Sequence, residues 1–419
     1  MVRAMSKSGT ADLIVLGAGI VGVSAAYAAS ERGLSVILVD QREPGGETSY
    51  GNAGVLSSGS IVPFNKPSLF PALPRYLSNR HAALRWDPLW ATRNAGWLLR
   101  FLANARPSNV KPRALALHGL IGASLALHRQ WLVKAGASAR LRETGWLKAW
   151  RSDATDAARA EQALLAEYGI ESEIVDRQAI SALEPGIVPA YTIGLLHTQT
   201  ASVDSPGEVT AAYARMFAGS GGEIVKAEIS AIAPEAGGWR VRLASSTISA
   251  RHVVVALGPW SADLLRPLGY RVPLAFERGY HQEFRPHPAR SLRRPIHDAD
   301  GAFVMTPMQN GIRITTGVEL TARDAPSSLA QLEAVVPLAR GVAEFGEASS
   351  PVWRGARPTL PDSLPIIGRA PRHAGLWLAF GHQHIGFTTG PATGAAIAAM
   401  LAARSPSFDV AAFSPGRYL

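Results

Sequence analysis

Near its start the chain reads Ala11-Asp12-Leu13-Ile14-Val15-Leu16-Gly17-Ala18-Gly19-Ile20-Val21-Gly22, an apolar run that breaks into three spaced glycines. Alanine-rich residues follow as far as Gly33, and a second apolar run, 35–39, ends on Asp40. Because apolar β-branched runs favour strands and the glycines interrupt them, the pattern predicts a strand, a glycine turn, a helix and a second strand.

This pattern is typical of a dinucleotide-binding site, and each of its residue types has its own physical role. Gly17 permits a tight turn, Gly19 lets the backbone approach a pyrophosphate, and Gly22 lets the helix pack closely on the strand. The helix N-terminus then stabilises the phosphate charge. Asp40 follows Gly22 by 18 residues, where an acid can meet a ribose hydroxyl. We therefore predict nucleotide contacts at Gly17, Gly19, Ile20, Val21, Gly22, Asp40 and Gln41.

Composition and charge limit the classes of protein that fit. The 419 residues suit two domains, and 47% hydrophobic with 18% charged residues is a globular composition. The absence of cysteine excludes disulfides, thiolate metal sites and cysteine nucleophiles. A net charge of +10 favours anionic surfaces or substrates, but without a basic run or zinc spacing we expect no nucleic-acid partner and no metal site. Residues 1–10 are too short and polar for a secretory signal, so we expect a cytoplasmic location.

Three later segments have patterns that suit close packing against a ligand. Residues 44–54 form a loop of glycines and short polar side chains directly after the second strand. Residues 252–261 are an unbroken apolar run that ends in a glycine turn, as a buried parallel strand does. Residues 353–394 contain an Arg-Pro motif followed by a strand, a glycine-rich loop and a helix. These segments lie far apart in the chain, which indicates that one domain is discontinuous.

Together these motifs resemble the FAD-dependent flavoprotein family that contains glycine oxidase, sarcosine oxidase and D-amino-acid dehydrogenase. The resemblance spans nearly the whole chain but is dense only at 11–54, 252–261 and 353–394. It implies a non-covalent FAD, since no cysteine can form a covalent link. It also implies that the helix N-terminus near 388–393 stabilises negative charge on the flavin N1/O2 edge. The further cofactor contacts that it implies are Thr48, Ser49, Asn52, Ala53, Gly54, Ile229, Ala256, Gly258, Trp260, Gly386, Phe387 and Thr388.

The implied fold class is α/β, with a discontinuous Rossmann-like FAD-binding domain and an inserted, mixed-sheet α+β substrate domain. We predict that the domain boundaries fall as follows: 11–60, 196–265 and 353–405 for FAD binding, 61–195 and 266–352 for substrate binding, and terminal arms at 1–10 and 406–419.

The resemblance implies oxidation of a small amino or imino acid, either a D-amino acid or a hydroxyproline-like compound, with a hydride passing to flavin N5. Arg357 is our candidate for the substrate carboxylate, because a guanidinium forks onto two oxygens. His384 could bond the carboxylate or a hydroxyl, and His382 could order the same loop. Tyr280 is a candidate for contact with the substrate, with a buried core tyrosine as the alternative.

Two further arginines are secondary candidates for the site. The alternative for Arg278 is an ion pair of its strand, and the alternative for Arg313 is exposure to solvent. Segment 63–107 mixes prolines, tryptophans and arginines. It fits an interfacial patch at lipid headgroups, through which electrons could reach a membrane quinone, or an ordinary insertion. Among the remaining elements we expect helices at 114–135, 155–168 and 328–345 and a strand at 141–150; His118 and His128 are expected to be packed or exposed rather than ligands.

Three alternatives to an FAD-dependent dehydrogenase remain open. An oxygen-dependent glycine or sarcosine-type oxidase would release hydrogen peroxide, whereas a dehydrogenase would reduce a quinone or an electron-transfer protein. A lysine above the flavin favours reaction with oxygen in some members of the family, and 381–394 contains none, which favours the dehydrogenase. A nicotinamide enzyme would use Arg42 for a 2′-phosphate. The third alternative is a flavin-bearing subunit of a larger complex.

Overall fold

A computed structural model describes residues 11–419, so the arm predicted at 1–10 lies outside the described residues. The strands are β1 (Ala11–Leu16), β2 (Val36–Asp40), β3 (Val55–Leu56), β4 (Leu84–Trp86), β5 (Leu141–Arg142), β6 (Trp146–Trp150), β7 (Glu173–Asp176), β8 (Ile193–His197), β9 (Ala201–Val203), β10 (Glu223–Lys226), β11 (Ile229–Glu235), β12 (Gly238–Leu243), β13 (Thr247–Val255), β14 (Ala275–Pro286), β15 (Ile296–Asp298), β16 (Phe303–Met308), β17 (Gly311–Thr315), β18 (Val318–Leu320), β19 (Phe345–Ala348), β20 (Trp353–Thr359), β21 (Ile366–Arg369) and β22 (Leu376–Phe380). The helices are α1 (Ile20–Ser30), α2 (Leu69–Leu77), α3 (Pro88–Arg93), α4 (Ala95–Ala103), α5 (Pro107–Lys134), α6 (Thr155–Ala166), α7 (Arg177–Leu183), α8 (Pro206–Gly219), α9 (Ser261–Leu265), α10 (Ala330–Arg340) and α11 (Gly386–Leu401).

The first large sheet contains the motif with which the chain begins. Its strand order is β10-β2-β1-β13-β12-β11, with β22 on β13 and β21 on β22, and β10, β2, β1, β13 and β22 run parallel. Parallel strands covered on both faces need apolar residues throughout, and β1 from Leu13 to Leu16 is fully buried. The predicted strand, glycine turn, helix and strand are confirmed, with α1 beginning at Ile20. Helix α11 packs on α1 because Gly394 leaves room for the backbone of Ser24.

The second large sheet is mixed and follows the order β4-β18-β14-β17-β16-β15-β6-β8-β7. Its longest strand, β14, also pairs with β20, and Glu277 lies opposite Arg357 in that register. The predicted α/β class, with a Rossmann-like sheet and a second, mixed sheet, is confirmed. The domain boundaries themselves stay a prediction; β20, which we assigned to the FAD-binding part, pairs with the second sheet, and the boundary at 195/196 falls inside β8.

Several predicted elements have different ends in the structure. The strand predicted at 141–150 is interrupted where Gly145 adopts a left-handed conformation with φ of 77°. The helix predicted at 328–345 is shorter because the chain turns after Gly341 into β19. The helix predicted at 114–135 begins earlier, at Pro107, since proline is well tolerated in a first turn.

Segment 63–107 folds into α2, β4, α3 and α4 beside the second sheet. Trp90 and Trp97 are buried, whereas several apolar side chains of the same segment are exposed: Phe64, Phe70, Leu77, Leu89 and Leu99. In the part of the chain that the structure describes, no helix combines the length and the apolar character needed to span a bilayer. At the other end of the chain, Phe413 is fully buried and Arg417 pairs with Asp362 at 2.7 Å, so residues 406–419 pack on the protein.

Candidate active site

A cavity of about 570 Å³ runs from the carboxyl edge of the first sheet to the face of the second. All the predicted site residues except Gly22 and Gly54 line it. Those that do are Gly17, Gly19, Ile20, Val21, Asp40, Gln41, Thr48, Ser49, Asn52, Ala53, Ile229, Ala256, Gly258, Trp260, Tyr280, Arg357, His382, His384, Gly386, Phe387 and Thr388. The structure therefore brings together segments that are several hundred residues apart in the chain.

Gly22 and Gly54 shape the cavity without lining it. A Cβ at Gly22 would overlap the carbonyl oxygen of Gly17, and one at Gly54 would overlap the carbonyl oxygen of Val203. Gly54 also has a φ of 74°, in the left-handed region that favours glycine. Gly22 thus permits a close contact, and Gly54 both a close contact and a left-handed turn, that a residue with a side chain would not allow.

At one end, the cavity is bounded by the glycine turn and by the acid that follows β2. Gly17 has a φ of 106° and leaves no room for a side chain beside Ala256. Asp40 accepts a hydrogen bond from the Ala18 amide at 2.6 Å and another from the Arg42 amide at 2.9 Å. Arg42, on which the nicotinamide alternative depended, pairs with Glu47 at 2.6 Å.

The loop at 48–54 is held by a buried ion pair that we did not predict. Arg313 donates to the carbonyl oxygens of Tyr50 and Asn52 at 2.8 and 2.6 Å, and it pairs with Glu283 at 2.7 Å. The alternative of solvent exposure for Arg313 is wrong, because the loop covers its strand and leaves the residue 3% exposed. Ser49, within the loop, accepts a hydrogen bond from the Ile20 amide at 2.9 Å.

The first turn of α11 forms another wall, with Gly386, Phe387 and Thr388 facing the cavity. Thr388 donates through its hydroxyl to the carbonyl oxygen of Val55 at 3.2 Å. The first amides of a helix have no partners within the helix, so this end carries a partial positive charge.

Arg357 lines the cavity from β20, on the side of the second sheet, and its guanidinium has few partners within the protein. The group lies over Gly279, where a Cβ would come within 2.5 Å of it. Among residues 11–419 it forms no ion pair, and its one hydrogen bond goes to the Gly317 carbonyl at 3.4 Å. Glu277, opposite it in the sheet, is buried, which raises the pKa of its carboxyl, while the charge of Arg357 opposes that effect.

The two histidines of the glycine-rich loop have different surroundings. His382 shares a hydrogen bond of 3.0 Å with the hydroxyl of Thr393, so it links the loop to α11. His384 stacks on Phe64, with ring centroids 4.3 Å apart, and within residues 11–419 its buried Nδ1 atom has no hydrogen-bond partner. Burial lowers the pKa of His382 to about 3. Burial, with a smaller effect of Arg357, does the same for His384. Both rings are therefore neutral at pH 7.

Tyr280 lies at the cavity wall, but its hydroxyl is already engaged. It bonds to Glu319 at 2.6 Å, contacts Arg278, and accepts from the Ser328 amide at 3.0 Å. Successive residues of a strand point to opposite faces, so the Tyr280 ring leaves β14 on the side away from the Arg357 guanidinium over Gly279. Burial and the Glu319 carboxylate raise the pKa of Tyr280. Arg278 pairs with Glu319 at 2.8 Å, which agrees with the ion pair expected for this arginine.

Three residues that sequence reasoning missed complete the wall of the second sheet: Trp146, Val304 and Thr315. Val304 and Thr315 are direct neighbours across β16 and β17, and Trp146 lies further along the same sheet. The Nε1 atom of Trp146 and the hydroxyl of Thr315 are buried without a partner in the described part of the chain. No sequence signal marked them, since their proximity depends on strand order.

The residues present fit the FAD that the sequence implied. A glycine turn with room for a pyrophosphate, an acid after β2 and an uncompensated helix N-terminus lie along one continuous cavity. Buried polar atoms without partners among residues 11–419, such as Nε2 of Gln383 and Nδ1 of His384, face the same space. Residues 17–22, 40–41, 48–54 and 386–388 would hold the cofactor.

Comparison with known proteins gives a consistent result. A family model described as FAD dependent oxidoreductase matches residues 12–400. The chain is 30% identical to the D-amino-acid oxidase of Bradyrhizobium diazoefficiens over 417 residues, covering 97% of this chain and 98% of that protein. It is 31% identical to D-amino acid dehydrogenase 2 of Pseudomonas aeruginosa over 410 residues, covering 96% and 97%.

Solved structures show the same fold at lower identity. The glycine oxidase of Geobacillus kaustophilus superposes with a TM-score of 0.76 at 20% identity, covering 98% of this chain and 100% of that one. The L-proline dehydrogenase of P. horikoshii does so with a TM-score of 0.75 at 16% identity, covering 98% of both chains.

Proposed function

The chain belongs to the DAO family of FAD-dependent oxidoreductases, and from this premise we propose that it dehydrogenates a D-amino acid or a cyclic imino acid such as hydroxyproline. The cofactor is FAD, which supplies the chemistry by accepting the hydride from the substrate α-carbon at flavin N5. The protein's own part is to bind the substrate, orient its C–H bond and keep water away.

One observation carries the proposal, namely the setting of Arg357. A guanidinium that lines the cofactor cavity and forms no ion pair among residues 11–419, with only the buried Glu277 opposite it in the sheet, is suited to bind a carboxylate from the substrate. Gly279 keeps the space that this group occupies. An α-amino or imino acid always supplies the matching carboxylate, so this contact would orient every member of the substrate class in the same way.

The neutral histidines support a second contact. His384 can donate or accept one hydrogen bond through its Nδ1 atom, which would suit a substrate hydroxyl or the second carboxylate oxygen. Loss of a hydride from the α-carbon requires a free lone pair on nitrogen, so we propose that the substrate binds with its amine neutral. His382 would serve by fixing the loop to α11.

The finer choice of substrate rests on the wall formed by Trp146, Val304 and Phe64. Trp146 and Val304 offer apolar and aromatic surface on the sheet side of the cavity and Phe64 adds to it beside His384, which favours a substrate with an apolar side chain or ring. The two similar proteins that act on D-amino acids by name favour the D configuration. Both a D-amino acid and a cyclic imino acid meet these requirements.

For the electron acceptor, we propose a quinone or an electron-transfer protein rather than oxygen. The loop at 381–394 contains no lysine, and segment 63–107 exposes Phe70, Leu77 and Leu99 together with arginines. Such a surface favours peripheral contact of a cytoplasmic protein with the inner face of the membrane. The alternative is an oxidase that releases hydrogen peroxide, favoured by the 30% identical D-amino-acid oxidase.

The test is a substrate panel with the purified FAD-loaded protein. Under anaerobic conditions we expect D-amino acids with apolar side chains, or hydroxyproline, to bleach the flavin, whereas L-enantiomers and N-methyl glycine leave it oxidised. In air, dye reduction without peroxide would support a dehydrogenase, and stoichiometric peroxide would support the oxidase. If no amino or imino acid bleaches the flavin, the proposed substrate class is wrong.

A further inference from the structure

Helix α11 contains a proline close to the end that faces the cofactor cavity. Proline has no N–H, so Pro391 cannot donate to the carbonyl oxygen of Phe387 four residues earlier. Its ring also crowds that oxygen and displaces it from the helix axis. The Phe387 carbonyl is therefore a buried acceptor that needs a donor from outside the helix.

That donor is His128 of α5, which is fully buried. Its Nε2 atom lies 2.9 Å from the Phe387 carbonyl oxygen, and its Nδ1 atom lies 3.0 Å from the Tyr213 hydroxyl. A carbonyl oxygen can only accept, so Nε2 carries the proton and leaves Nδ1 as an acceptor for the Tyr213 hydroxyl, which also lies 3.3 Å from the carbonyl oxygen of His128. Burial lowers the pKa of His128 to about 4, which keeps the ring neutral at pH 7, and the Phe387 carbonyl selects the tautomer.

The same peptide group connects His128 to the cavity. The carbonyl of Phe387 and the amide N–H of Thr388 belong to one planar unit, and both residues line the cavity at the first turn of α11. The Thr388 amide is among the first amides of the helix, which have no partner within it. A hydrogen bond to the carbonyl fixes the plane of this unit and polarises its N–H.

We propose that His128 is a positioning residue for FAD: by donating to the Phe387 carbonyl it orients and polarises the Phe387–Thr388 peptide, whose amide favours the negative charge that the isoalloxazine gains on reduction. Tyr213 completes the arrangement by fixing the tautomer of His128. The inference depends on FAD binding and is independent of the substrate proposed above.

The experiment measures the midpoint potential of the FAD-loaded protein by anaerobic reduction in equilibrium with a dye. His128→Phe removes the donor, and we expect reduced FAD to bind roughly three- to tenfold more weakly relative to oxidised FAD, a shift of about 15–30 mV to more negative potential. Adding Pro391→Ala restores a main-chain N–H that can donate to Phe387, so the double variant should return to the wild-type potential. Ser124→Ala is the matched control, because Ser124 contacts α11 from the same helix by accepting from the Ala392 amide at 3.2 Å. Its potential should stay at the wild-type value.

Two results would overturn the proposal. An unchanged potential in His128→Phe would show that the peptide does not need this donor, and a shift that persists with Pro391→Ala would show that the effect does not pass through the Phe387 carbonyl. If His128→Phe alone fails to accumulate, Tyr213→Phe takes its place: a smaller negative shift, abolished by Pro391→Ala, is expected, and no shift contradicts the role.

Discussion

Replacing Arg357 with alanine should remove the proposed carboxylate contact while leaving the flavin in place. The guanidinium belongs to β20, which pairs with the second sheet, whereas the glycine turn belongs to the first, and in the described part of the chain it has no ion pair that would compete for it. A bidentate contact between a guanidinium and a carboxylate contains two charge-assisted hydrogen bonds, each about 1.5–3 kcal/mol. Its loss should therefore cost about 3–5 kcal/mol of transition-state binding.

In a steady-state assay this cost would appear as a decrease in kcat/KM of roughly 150- to 4,000-fold, mostly through KM. Arg357→Lys keeps the charge but loses the fork, so it should recover part of the loss. Arg354→Ala is the control on the same strand: its guanidinium is exposed and donates to the Ala325 carbonyl at 2.7 Å, so its kinetics should match those of the wild type.

The FAD content of the variants distinguishes a role of Arg357 in substrate binding from a role in cofactor binding. All three variants should stay yellow and retain FAD to the same extent, since Arg357 contributes to substrate binding in this account. A KM unchanged in Arg357→Ala would remove Arg357 from the substrate site. Loss of FAD from that variant alone would instead assign the residue to cofactor binding.

Three further outcomes follow from the structure. Gly22→Ala should prevent FAD binding, because its Cβ would overlap the Gly17 carbonyl; retention of FAD by this variant would contradict the packing argument. The control is Gly122→Ala, in an open position on α5, which should keep its FAD and raise the free energy of unfolding by about 0.5–1 kcal/mol, as measured by flavin content and urea unfolding. Arg313→Met leaves Glu283 buried without its partner, so it should cost about 3–5 kcal/mol of stability and weaken FAD binding, and adding Glu283→Leu should restore part of the stability; a neutral single variant would contradict this. Unfolded histidine takes up a proton below pH 6.5 but buried His128 does so only near pH 4, so His128 should account for about 2 kcal/mol of the stability lost between pH 6.5 and 5, in addition to the losses from other buried histidines such as His382 and His384; in urea unfolding, His128→Gln should lose less stability than the wild type by that amount, and an equal loss would exclude a contribution from His128.

The cofactor end of the site could be predicted from sequence because it depends on the backbone. Where a phosphate needs bare amides, only glycine fits, and the spacing of Gly17, Gly19 and Gly22 records that requirement directly. Gly54 follows the same logic, since its left-handed φ and its contact with the Val203 carbonyl exclude other residues. Such constraints are local, so they appear as motifs.

The remainder depends on contacts between distant parts of the chain. Arg313 sits between Ile312 and Ile314, an alternation that is compatible with solvent exposure, but the loop at 48–54 covers that face of the sheet. Trp146 reaches the cavity only because β6 lies beside β15 in the order of the second sheet. His128 was expected to be packed or exposed rather than a ligand; the structure buries it, and its partner at Phe387 is 259 positions away and has no local signature.

Tyr280 and its neighbour Gly279 point to opposite faces of β14, and only one of these faces carries the Arg357 guanidinium. Gly279 and Tyr280 are neighbours in β14, and the sequence made the aromatic residue the more attractive candidate because it carries a hydroxyl. In the structure the glycine has the clearer connection to the site, since it gives Arg357 its space, while the tyrosine hydroxyl is engaged by Glu319 and Ser328. The side chain that binds a substrate and the small residue that makes room for it are selected together. A substitution at Gly279 should therefore impair substrate binding as strongly as one at Arg357, although Gly279 has no side chain that could contact the substrate.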